Sequence, residues 1–126
     1  MRQVCEGSLH VALPPARAAA LFTPEGERAW APGWDPDHPA GPGGPVFTTH
    51  AGTTVWVALG ELRYARVTPG VHAGTVSVRC EPEADGTRAH VTYDLTALSE
   101  AADLDGFAAG FDALMAAWER HIAAAL

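Results

Sequence analysis

Residues 103–126 read DLDGFAAGFDALMAAWERHIAAAL. After an Asp103 cap, Leu104, Phe107, Phe111, Leu114 with Met115, Trp118 and Ile122 recur at steps of three and four. That is the apolar stripe of one long amphipathic helix. No other segment is long enough for a second helix of that size, and most of what precedes it alternates like strand. The stripe must therefore find its partner in a sheet. How tightly that sheet closes on it decides between a packed domain and a hollow one.

Residues 3–13 alternate, with Cys5, Leu9, Val11 and Leu13 on one phase and Glu6, Ser8 and His10 on the other, as in a half-buried strand. Pro14-Pro15 ends it and ARAAALF supplies a short helix with proline in the tolerated first turn. Thr23-Pro24-Glu25 opens a second short helix: a Thr N-cap, then Pro, then acids at the positive end. It runs to about Trp30. Residues 31–45 are dense in Pro and Gly and leave no room for regular structure. This long loop carries Trp34 and His38 and is expected to fold back onto apolar surface as a lid.

An antiparallel meander follows. Residues 46–50 and 53–59 flank Ala51-Gly52, a two-residue hairpin candidate that would pair Thr49 with Thr54 and Phe47 with Trp56. Gly60-Glu61-Leu62 turns the chain into residues 63–69, then 72–80. Glu83-Ala84-Asp85-Gly86 turns it into 88–98. Placing Cys80 opposite Ala89 pairs Val78 with Val91 and Val76 with Tyr93, so the apolar phases agree across both strands. Strands segregated from helices predict an α+β fold. A curved antiparallel sheet of about six strands wraps a long C-terminal helix, with two short helices after strand 1.

At 126 residues the chain fits one domain, residues 1–126. Its net charge of -7 and lack of lysine give nucleic acid no electrostatic footprint. No apolar run is long enough for a signal peptide or a membrane span. Cys5 and Cys80 make no disulfide framework and read as buried small hydrophobes, so a cytoplasmic setting is expected.

Four stretches carry a likeness: Thr23-Pro24-Glu25-Gly26-Glu27-Arg28-Ala29-Trp30, Pro32-Gly33-Trp34-Asp35-Pro36, Tyr64-Ala65-Arg66-Val67-Thr68-Pro69-Gly70 and Val91-Thr92-Tyr93-Asp94-Leu95-Thr96-Ala97-Leu98. With the order of elements, they resemble bacterial members of the START/Bet v 1-like (SRPBCC) superfamily, often labelled polyketide cyclase/dehydratase-like. The resemblance implies a helix-grip fold with a hydrophobic cavity between sheet and C-terminal helix. It implies an apolar ligand such as a lipid or polyketide, and in some members cyclisation or dehydration.

Among the chemistry-bearing residues, the six histidines make no metal-ligand spacing, so no metal or cofactor is expected. No GxSxG, GxGxxG or Walker-type loop is present. Trp30, Trp34, Trp56, Tyr93, Phe107, Phe111, Met115 and Trp118 are the candidate pocket residues, each equally readable as plain core. Trp56 competes with Val55, Val57 and Leu59 for the inner face. For acid–base work the candidates are His50, Tyr64 and Glu27. Asp94 should face outward. Three readings follow: a binder of a small apolar or amphipathic molecule, a cyclase/dehydratase-type enzyme, or a non-catalytic interaction protein with a filled core. In the last, Ala109, Ala113, Ala116 and Ala123 would pack on a partner. Val, Thr and Ala on the outer faces of the strands are compatible with a homodimer.

Overall fold

Ten consecutive extended residues begin the chain as β1 (Arg2–Val11), in a computed structural model that describes residues 1–49 and 52–126. Then come α1 (Pro15–Ala20), a 3-10 helix (Gly26–Ala29), β2 (Val46–Thr48), β3 (Thr54–Gly60), β4 (Arg63–Thr68), β5 (His72–Glu83), β6 (Gly86–Ala97), α2 (Leu104–Ala109) and α3 (Phe111–Ala125). All pairings are antiparallel, in the order β1-β6-β5-β4-β3-β2. The sheet curves around the C-terminal helices: this is the helix-grip α+β architecture.

The β5–β6 register is the expected one: Cys80 faces Ala89, Val78 faces Val91 and Val76 faces Tyr93. A one-residue slip would turn one strand's apolar phase to the opposite face. The β2–β3 register differs from expectation by one step. Thr48 pairs with Thr54, Phe47 with Val55 and Val46 with Trp56. The connection is thus longer than a two-residue hairpin, and Ala51 and His50 lie outside the described residues. The shift puts Trp56 and Val46 on the inner face and leaves Val57 and Leu59 exposed outside, 40% and 50% accessible.

The expected single C-terminal helix is two helices in series. Gly110 (φ -92°, ψ 0°) ends α2 and opens α3. Glycine is the weakest helix former after proline, and here it interrupts the run without redirecting the stripe. Asp103 caps as expected, its carboxylate accepting from Gly106 N at 2.9 Å. Thr23 Oγ1 likewise accepts from Gly26 N, but the turn it closes opens a 3-10 helix.

The core lies at the β1–β6–β5 end. Leu9, Val11, Val91, Leu95, Leu104, Phe111, Met115 and Ile122 are all buried there. Gly7 lets the helix come this close: a Cβ there would stand 2.9 Å from Met115 Cγ and 3.1 Å from Phe111 Cε2. Loop 31–45 is anchored. Asp37 bridges Phe47 on the edge strand β2, and Arg28 holds Asp35 and the Pro36 carbonyl. His38 meets Glu25 at 2.7 Å, and Trp34 Nε1 donates to the Pro24 carbonyl. No helix among the described residues is long and apolar enough to cross a membrane.

Candidate functional site

At β3 and β4 the sheet stands back from the C-terminal helices. On β3 and β4 the inward phase is Thr54, Trp56, Ala58 and Tyr64, Arg66, Thr68, as fixed by the pairs Trp56–Arg66 and Ala58–Tyr64. Of these, Trp56, Tyr64 and Arg66, together with α3 and the segment around the 3-10 helix, line a cavity of about 420 Å³. Its walls include all four tryptophans of the chain, Trp30, Trp34, Trp56 and Trp118, together with Phe22, Tyr93 and Phe107. The rings meet edge to face: Trp30 and Trp118 at 5.5 Å, Trp34 and Trp56 at 5.5 Å. This is the arrangement the aromatic quadrupole favours. A second hollow, of about 710 Å³, lies under loop 31–45 and shares Pro24, Trp56 and Tyr64 with the first.

Six of the eight expected pocket residues thus line the cavity. The other two do not. Phe111 and Met115 are 3% and 4% exposed and belong to the packed end, where Phe111 backs onto Tyr93 at 5.7 Å and Met115 seats over Gly7. The reason is helical phase. Phe111, Met115 and Ile122 form the stripe that closes on β1, while Leu114, Trp118 and His121 form its neighbour and face the cavity. The filled-core alternative would need side chains to occupy this volume. Ala109, Ala113, Ala116 and Ala123 are exposed, as that reading required.

Of the polar candidates, Tyr64 and Glu27 line the cavity, and His50 lies outside the described residues. Burial pushes the Glu27 carboxyl up to about 8. Burial also raises the Tyr64 phenol, with the Glu27 charge adding to it. Tyr93 is pushed up to about 12, chiefly by burial. Asp94 faces outward, as expected, and pairs with Arg2 at 2.7 Å.

Arg66 was not among the expected site residues. It lines the cavity with its guanidinium carbon 5.2 Å from the Trp56 ring and 5.7 Å from the Tyr93 ring. Its Nε is buried without a hydrogen-bond partner among the described residues, and burial lowers its pKa. Gly74 stands opposite Arg66 in the β4–β5 pair, where an added Cβ would strike the Asp94 carbonyl of β6. The signal was in the sequence: Arg66 shares a phase with Tyr64, and the pairings carry that phase inward beside Trp56 and Tyr93. His72 sits at the start of β5 with Nδ1 buried and unpartnered among the described residues. Burial and the Arg66 charge lower its pKa.

No family model and no curated protein matches the chain. Solved structures do. The Mll3558 protein from Rhizobium loti is similar at 17% identity, TM-score 0.64, covering 96% of this chain and 97% of that one. The Bet v 1-like Ara h 8.0201 is similar at 13% identity, TM-score 0.60, with 98% and 99% covered. An AHSA1-like protein from Aeromonas hydrophila is similar at 15% identity, TM-score 0.56, with 99% and 94% covered.

Proposed function

We propose that residues 1–126 form one ligand-binding domain, and that the aromatic cavity holds a small hydrophobic or amphipathic molecule between sheet and C-terminal helix. The observation that carries this reading is the cavity of about 420 Å³ with all four tryptophans in its walls. Ligand pockets are concave and mostly apolar, with a few placed polar groups. The Glu27, Tyr64 and Arg66 side chains are such groups. Burial of ligand surface at roughly 25 cal/mol per Å² supplies the driving force. The neutral probe N-phenylnaphthylamine tests it. We expect saturable enhancement of probe fluorescence, with quenching of tryptophan emission. A probe that neither brightens nor quenches would sink this reading.

A second reading is favoured by one observation, the Glu27 carboxyl raised to about 8 in the same cavity as the Tyr64 hydroxyl. A carboxyl titrating near neutrality is suited to proton transfer. Glu27 and Tyr64 would then be the acid–base groups of a cyclase/dehydratase-type enzyme on a polyketide-like carbonyl compound. Its test is turnover of a poly-β-ketone, with loss of turnover but retention of binding in Glu27→Gln.

A further inference from the structure

We infer that Arg66 makes the cavity an anion site, and that its ligand is a small aromatic carboxylate with its charge on the Arg66 guanidinium and its ring among the tryptophans. The inference rests on the ligand-binding reading above and names the ligand class.

The argument starts from an unbalanced charge. Arg66 is held in an apolar recess between Trp56 and Tyr93. Cation–π contacts hold a guanidinium in place but do not neutralise it. Among the described residues no carboxylate pairs with it. The ion pairs of Arg2, Arg28, Arg79 and Arg88 all lie elsewhere, and the acid partners they use are Asp94, Glu25, Asp35, Glu81 and Glu83. The electrostatic influence on Arg66 comes from Tyr93, a phenol that burial keeps neutral. Glu27 lines the same cavity, but near neutral pH burial keeps much of it protonated, so it offers no competing negative charge.

A buried cation without a partner is costly, and burial already lowers the Arg66 pKa. Arginine cannot relieve that cost by losing its proton near neutral pH. A ligand anion can. The planar guanidinium matches a carboxylate through two parallel hydrogen bonds. One cation fits one negative charge, which favours a monocarboxylate over a phosphate ester. Trp30, Trp34, Trp118 and Phe107 offer faces and edges for a planar ring.

Calorimetric titration with naphthoate and with naphthylmethanol tests this, because the two share a ring system and differ in charge. Near neutral pH the wild-type protein should bind naphthoate at least about tenfold tighter than the alcohol. Arg66→Met, which keeps an unbranched side chain without the charge, should erase that preference, naphthoate losing about tenfold or more relative to the alcohol. Arg66→Lys should keep a preference for the acid, reduced because the fork is gone. Should Arg66→Met fail to fold, the wild-type comparison and Arg66→Lys decide. Alcohol binding as tight as acid binding overturns the anion site and leaves the cavity reading standing. A preference for the acid that survives in Arg66→Met overturns the assignment to Arg66. Binding of neither ligand overturns both readings.

Discussion

Glu27 is a carboxyl group placed where its ionised form is disfavoured, and that has a cost measurable apart from any ligand. Its ordinary value is 4.5, and burial beside the aromatic walls raises it to about 8. Between those values the folded protein holds a proton that the unfolded chain has released. Stability from this group is therefore present at acid pH, falls as pH rises from 4.5 and levels off above about 8. The full shift corresponds to about 5 kcal/mol for a completely desolvated carboxyl. Glu27 keeps part of its surface in solvent, and we expect roughly half of that. Glu27→Gln should match the wild type in urea denaturation near pH 5 and exceed it by about 2 kcal/mol near pH 9. Taking the difference between the two proteins cancels the carboxylates with lowered values, such as Glu81, Glu83 and Asp94, which lose stability in the acid range. Parallel stability curves would show that Glu27 is not desolvated in the fold. A side chain retained at that cost is more readily explained by a role in the cavity than by the core.

At the scale of elements, the strands split into two kinds. β5 and β6 obey the simple rule that the apolar phase faces the core, and their register was readable from Val76, Val78, Val91 and Tyr93. β3 and β4 break the rule. Their inward phases carry Arg66, Tyr64 and three threonine and alanine positions, while Val55, Val57, Leu59, Ala65 and Val67 point outward. The inner face there borders a cavity, so a hydrophobic phase no longer marks the interior, and Arg66 escaped notice for that reason. The β2–β3 register was unreadable for a related reason: three-residue β2 has Thr48 buried and Phe47 half-buried, and Thr48 is satisfied inside by Trp56 Nε1 at 3.0 Å. Buried threonines recur at this end, where Thr54 and Thr68 bond each other at 2.8 Å. The same contrast makes β1 sensitive to size at one position. Gly7→Val would press on Met115 and Phe111, both of which lack room to yield, and should cost about 2 kcal/mol. Met115→Ala vacates that space, so Gly7→Val should cost clearly less in the Met115→Ala background. Additive losses in the urea double-mutant cycle would contradict the close approach.

At the scale of the whole molecule, the C-terminal stripe serves as wall and plug at once. Phe111, Met115 and Ile122 seal the sheet at β1, and Leu114, Trp118 and His121 stand back from it over the cavity. The break at Gly110 separates the short helix that carries Phe107 from the long one that carries the rest. Two truncations on neighbouring faces of the helix therefore have different consequences. Phe111→Ala empties a site packed on all sides, where surrounding atoms relax only in part, and should cost about 3 to 5 kcal/mol. Trp118→Ala removes a ring that already borders open volume, and the cavity term scales with the void newly created, so about 1 to 2 kcal/mol is expected despite the larger side chain. Binding should move the other way. Trp118→Ala strips one wall from the pocket and should weaken the N-phenylnaphthylamine complex by about tenfold, while Phe111→Ala, where it remains folded, should change it by no more than about threefold. Urea denaturation and probe titration on the same pair of variants give both orders. If Trp118→Ala proves the more destabilising of the two and leaves the probe affinity unchanged, Trp118 is core and the helix is a plug along its whole length.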